Sequence, residues 1–126
     1  MASEWKEPDS PLWEAVEAAF DKNAQEITVL DLREVASFTD YFLICTGGSS
    51  RQIQTVSDEI TRRLGLAGLH PLHVEGYNHA EWILMDYVDF LVHIFSERAR
   101  TFYDLDRLWR TARRVPIEEQ GTGKRD

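Results

Sequence analysis

Residues 82–95 constrain the fold more than any other stretch of the chain. Trp82-Ile83-Leu84-Met85-Asp86 and Phe90-Leu91-Val92-His93-Ile94-Phe95 are two apolar runs separated by Tyr87-Val88-Asp89. β-branched and aromatic residues dominate both runs, and the break between them is short. This pattern predicts an antiparallel hairpin turning around Tyr87-Val88. A large aromatic opens the first strand, and Asp86, Asp89 and His93 sit where a core would want no polar group.

The rest of the chain supplies partners for that hairpin. Ser10-Pro11 reads as an N-cap and first helical position, and Leu12, Val16 and Phe20 continue one apolar face to about residue 22. Residues 27–32 and 41–45 read as strands, the second apolar enough to lie between two layers. Gly47-Gly48 ends that strand, and Ser49 to Gln52 form an S-x-x-Q capping box. Ile53, Val56, Ile60 and Leu64 then mark an amphipathic helix ending at Gly65 or Gly68. A short strand follows at residues 72–75. After the hairpin, Thr101 to Asp104 reads as a second capping box, with Phe102, Leu105, Leu108 and Trp109 on the apolar face of a closing helix.

The order α-β-β-α-β-β-β-α predicts a mixed α/β domain with a central mixed sheet of about five strands flanked by helices. At 126 residues the chain is one domain by length. Residues 1–9 read as a disordered acidic tail, 10–115 as the domain and 116–126 as a disordered polar tail.

Composition narrows the chemistry. No apolar run approaches a membrane span, and the acidic start has neither a signal nor a transit-peptide pattern, so the cytoplasm is the expected compartment. Cys45 is the single cysteine and has no internal disulfide partner. The net charge of −8 argues against direct nucleic-acid binding and suits a basic protein partner. The basic residues are scattered apart from Arg62-Arg63 and the run from Arg107 to Arg114.

Gly47-Gly48-Ser49-Ser50, between a strand and a helix, has the composition of a phosphate cradle and of the Gly-Ser start of nucleotidyltransferases. Those enzymes hold a metal with two carboxylates at alternate positions of the next strand. Asp58 and Glu59 are adjacent within a helix, Asp86 and Asp89 are three apart across a turn, and no P-loop lysine is present. A tight turn with an N-cap is the plainer reading. His70, His73, His79 and His93 match no zinc spacing. Cys45 reads as a small core residue, and Thr39-Asp40 as a turn cap or a partner contact. Trp82 suits either a core position or an interface anchor.

Several segments carry a resemblance in one order: Leu30-Asp31-Leu32-Arg33; Thr39-Asp40-Tyr41-Phe42; Gly47 with Ser50-Arg51-Gln52; Glu75-Gly76; Trp82 to Tyr87 with Asp89; Val92 to Phe95; and Arg98 to Trp109. Through them the chain resembles the ribosomal silencing factor (Iojap) family from about Leu12 to Ala112. The resemblance implies a nucleotidyltransferase-like core without catalytic carboxylates, no enzymatic activity and no cofactor or metal. It implies binding to large-subunit ribosomal protein L fourteen on the large ribosomal subunit, blocking of small-subunit joining, and repression of translation when nutrients are scarce. Carried over residue by residue, it implies a partner surface of Trp82, Ile83, Leu84, Asp86 and Tyr87, with Asp89, Arg98 and Tyr103. Two positions depart from the pattern. Val88 replaces the usual glycine and, as a β-branched residue, resists positive φ, so a different turn shape is expected. Phe90 is bulkier than the usual valine. The rival readings are a nucleotide-binding transferase using Gly47 to Ser50 and a homodimeric adaptor.

Overall fold

The computed structural model describes residues 10–117. The expected tails at 1–9 and 118–126 lie outside the described residues. The elements run α1 (Pro11–Asp21), β1 (Gln25–Asp31), β2 (Tyr41–Gly47), α2 (Ser50–Leu66), β3 (His73–Glu75), β4 (Trp82–Asp86), β5 (Phe90–Ser96), α3 (Glu97–Tyr103), α4 (Leu105–Leu108) and β6 (Arg113–Val115). One mixed sheet has the order β3-β4-β5-β2-β1-β6. β2 and β5 run parallel at its centre, and the other neighbours are antiparallel.

Alternation assigns the two faces. Leu43, Cys45, Ile83, Met85, Val92 and Ile94 turn toward α1 and α2, whose buried stripes include Val16 and Ile53, Val56, Ile60 and Leu64. Each such aliphatic side chain contributes about 1.5–3 kcal/mol on burial. Ser49 Oγ accepts from the Gln52 amide at 3.0 Å, and the helix ends in a Schellman motif with Gly68 at φ +83. α2 thus carries the chain across this face from β2 to β3.

The opposite face is covered less completely. α3, α4 and the 32–40 loop pack on Leu30, Phe42, Ile44 and Phe95, leaving the β4 side of the sheet open. One expectation is corrected here. The closing helix does not start at Thr101. It starts at Glu97, capped by Ser96, and stops at Asp104, whose φ of +51 lies in the left-handed region. Phe102 and Leu108 therefore share no buried face, and are 76% and 68% exposed. β6 adds a sixth strand. Its two arginines hide the alternation, and only pairing of Val115 with Val29 reveals it.

The hairpin forms as expected, with Trp82 opposite Phe95 and Asp86 opposite Leu91. Its tip was expected to avoid the glycine conformation, yet Val88 adopts φ +74. Tertiary bonds enforce the strain. Val88 N–H donates to Asp86 Oδ1 (2.8 Å), Thr39 Oγ1 donates to the Val88 carbonyl (2.9 Å), and Asp89 N–H donates to the Tyr87 carbonyl (2.8 Å). A left-handed L-residue costs about 1–2 kcal/mol, and glycine returns about half of that as lost chain entropy. Val88→Gly is therefore expected to stabilise the fold by about 0.5–1 kcal/mol in urea titrations. A lower midpoint would show that the valine side chain contributes more than its backbone costs.

Candidate partner-binding face

The open face of the sheet carries a continuous band of rings. Phe38 packs on Trp109 (centroids 5.9 Å apart) and on Phe42 (6.1 Å). Phe42 meets His93 edge-on at 4.5 Å, and His93 meets Trp82 at 5.9 Å. Trp82 contacts Tyr103 at 4.6 Å, and Tyr103 contacts Phe102 at 5.0 Å. Both ends of the band emerge: Phe38 is 57% exposed and Tyr103 47%. Between those ends Phe42 and His93 are buried and Trp82 and Trp109 are partly buried, so the exposed rings are Phe38 at one end and Tyr103 and Phe102 at the other.

Trp82 is partly buried at the centre of the band's open end. Its indole Nε1–H donates to His93 Nδ1 at 3.1 Å. An indole only donates, so this bond fixes His93 as the neutral tautomer with its proton on Nε2. Among the described residues that Nε2 has no partner and is buried. Burial pushes the imidazole down to about 3. The sign of the resulting pH dependence follows. Below an ordinary value of 6.5 the unfolded chain takes up a proton that folded His93 refuses. Stability should be flat in this group above that pH and fall as pH drops toward 3, with a limiting slope of about 1.4 kcal/mol per unit. Asp31, held near 2 by its bonds to Arg33, and Glu59, held near 2 by Arg62 and Arg63, add a second loss below pH 4. Urea titrations across pH should show two acid limbs, and His93→Gln should remove the first. A single limb below pH 4 would mean that folded His93 titrates normally.

β4 sorts the expected surface residues by parity. Trp82, Leu84 and Asp86 point to the open face, whereas Ile83 is fully buried against the α2 side. Tyr87 is also buried, stacked on Phe90 at 5.1 Å. Asp86 is occupied at the hairpin tip with the Val88 amide, and lies 3.9 Å from His73. Asp89 is exposed at the same tip. At the other end, Arg98 and Tyr103 line a groove of about 410 Å³ with Glu81, Ala99 and Phe102. Ser96 secures the groove wall, donating to Glu81 Oε1 at 2.7 Å and accepting from the Ala99 amide at 3.0 Å. The structure thus gathers Trp82, Leu84, Arg98 and Tyr103 into one region, sets Asp86 and Asp89 at the hairpin tip, and gives Ile83 and Tyr87 to the core. Sequence reasoning missed Phe38, Phe102 and Glu81. Their only signal was apolar or acidic character next to a predicted element boundary.

A hub holds the α3–α4 wall in place. The guanidinium of Arg100 bonds Asp106 at 3.0 Å, Thr46 Oγ1 at 2.9 Å and the Glu26 carbonyl at 2.8 Å. Burial alone would raise Asp106, but Arg100 outweighs it and the carboxyl sits below its usual range.

The Gly47–Ser50 turn is filled by the chain itself. Gln52 Oε1 accepts from the Gly48 amide at 2.6 Å, and Gln52 Nε2 donates to the carbonyls of Lys22 and Asn23. A Cβ on Gly47 would meet Ile53 Cγ1 at 2.7 Å, so this glycine serves helix packing. Burial drives the Cys45 thiol up to about 12, away from a nucleophile's range. No group of three His, Cys, Asp or Glu side chains that could hold a metal ion occurs among the described residues, and no described helix is long and apolar enough to cross a membrane.

Fold and face together define a mixed α/β domain with a cluster of aromatic rings on one side of a six-stranded sheet. A family model described as "Ribosomal silencing factor during starvation" matches residues 6–126. The "Ribosomal silencing factor RsfS" of Bacillus subtilis is 38% identical over 95 residues, covering 75% of this chain and 80% of that protein. The protein of the same name from Halalkalibacterium halodurans is 36% identical over 104 residues, covering 82% and 89%. A crystal structure of a Chromobacterium violaceum protein superposes with a TM-score of 0.78 at 30% identity, over 82% of this chain and 86% of that one. The chain belongs to the ribosomal silencing factor family.

Proposed function

We propose that this chain silences ribosomes by occupancy. It lays its aromatic face on the large ribosomal subunit, at large-subunit ribosomal protein L fourteen, blocks joining of the small subunit, and so represses translation under nutrient limitation. The partly exposed Trp82, with the exposed rings of Tyr103 and Phe102 beside it, carries the reading. Aromatic anchors supply affinity, while Glu75, Glu81 and Asp89 around the open side attract a basic protein. No bond is made or broken. The transferase alternative finds no support, because Gln52 fills the turn it would need.

Light scattering of purified subunits tests this directly. Preincubating the protein with large subunits should suppress joining, and the protein should sediment with large subunits alone. Unchanged joining, or co-sedimentation with small subunits, would overturn the reading. Micromolar ATP binding, about −8 kcal/mol, would revive the enzyme.

A further inference from the structure

The run from Arg107 to Arg114 holds four arginines and no acid, in a chain whose net charge is −8. We propose that this arginine edge contacts RNA phosphates of the large subunit beside the protein site. The proposal rests on the docking reading above for its setting, and extends it to a second partner chemistry.

Folding builds the edge into a charged surface. Arg113 from β6 and Arg33 from the loop after β1 converge on one carboxylate, Asp31, at 3.2 and 2.8 Å. Arg114 and Arg100 converge on Asp106 at 3.2 and 3.0 Å, with Glu26 a further 3.9 Å from Arg100. Asp31 thus steadies two guanidiniums and leaves one positive charge over, whereas Asp106 and Glu26 together balance Arg100 and Arg114, so the surplus of the edge lies at the Asp31 pair and at Arg107 and Arg110. Arg107 and Arg110 are exposed, and Arg110 Nη1 donates to the backbone carbonyl of Arg107 at 3.4 Å. Arg113 and Arg114 remain 55% and 61% exposed.

Place and chemistry select the partner. Trp109, between Arg107 and Arg110, packs on Phe38 and Phe42, so the arginines border the aromatic band at the end away from Trp82. A basic protein is attracted by the acids around Trp82 but repelled by this edge. A ribosomal surface sets basic protein beside RNA, and a planar guanidinium matches phosphate oxygens in pairs. Acidic on one side and basic on the other, the face fits such a surface. The overall acidity that argued against nucleic-acid contact is an average over segregated charge.

The test is one of sign. Arg107→Glu with Arg110→Glu alters two arginines that meet no carboxylate among the described residues, so the fold should be kept; a melting curve verifies it. If the edge meets RNA, affinity for purified large subunits falls about tenfold or more. For the neutral pair, Arg107→Gln with Arg110→Gln, the slope of log affinity against log salt becomes shallower by about two. If the edge meets only basic protein or solvent, affinity rises or stays the same, which overturns the proposal. A photo-crosslinker at exposed Thr111 should attach to ribosomal RNA, and attachment to protein alone also overturns it. A wild-type chain that ignores large subunits refutes the docking reading instead. The edge is then judged on a fluorescein-labelled RNA hairpin at low salt: binding lost in the Glu pair sustains it, and no wild-type binding ends it.

Discussion

Trp82→Ala is expected to lower affinity for large subunits by about 2 kcal/mol or more, some thirtyfold, the scale of an interface anchor. The same change should also cost about 2 kcal/mol of folding stability, less than the roughly 3–5 kcal/mol of a fully buried tryptophan. Both losses follow from one geometry. The ring packs on Phe95 at 4.9 Å and on Tyr103 at 4.6 Å, yet remains partly open to solvent. Removing it takes away the donor to His93 Nδ1 and leaves a buried imidazole with both nitrogens unpaired. Trp82→Phe separates the effects, since it keeps most of the packing and loses only the N–H. Melting curves and subunit titrations on both variants give the answer. An alanine variant that melts lower but binds normally would remove Trp82 from the docking surface and leave it a packing residue.

Gly76→Ala should be the most disruptive glycine-to-alanine change among the described residues, costing about 3 kcal/mol. Gly76 sits at φ +84, and a Cβ there would lie 2.1 Å from the carbonyl oxygen of Trp82. That neighbour is backbone at the start of β4, so relief requires moving the strand that carries the anchor. The turn offers little slack, because the Ala80 amide is bonded to the Gly76 carbonyl at 2.9 Å and Ala80 itself has φ +55. Gly68→Ala is the control. Gly68 has a nearly identical φ of +83 but open space around its Cα, so only the conformational cost of about 1 kcal/mol should appear. Equal losses for the two variants in urea titrations would show that the Trp82 carbonyl yields freely.

Much of the architecture was legible because its causes are local. The spacing of Ile53, Val56, Ile60 and Leu64 sets a helical stripe whatever it packs against, and Ser49 with Gln52 caps it within four residues. The two apolar runs in residues 82–95 and the short break between them announced a hairpin, but its register, with Trp82 opposite Phe95, is set by the folded turn at 87–89. Missing carboxylates on alternate strand positions turned attention from catalysis to docking, and the order of short motifs along the chain pointed to the family. Other features have causes distant in sequence. β6 exists because Val29 offers it an open strand edge. Val88 is held left-handed by Thr39, 49 residues away, and by Asp86 beside it. The parity of β4 decides that Trp82 and Leu84 reach the open face while Ile83 does not, and that parity means something only once α1 and α2 cover the other side. The aromatic band draws rings from the 32–40 loop, three strands and the α3–α4 wall, with no periodicity to announce it. Hydrophobic spacing and capping chemistry in the sequence determined the elements and the class of protein. Which side chains the packed sheet left exposed, and how its charges were segregated around them, was decided only by tertiary structure, because exposure belongs to the space between elements.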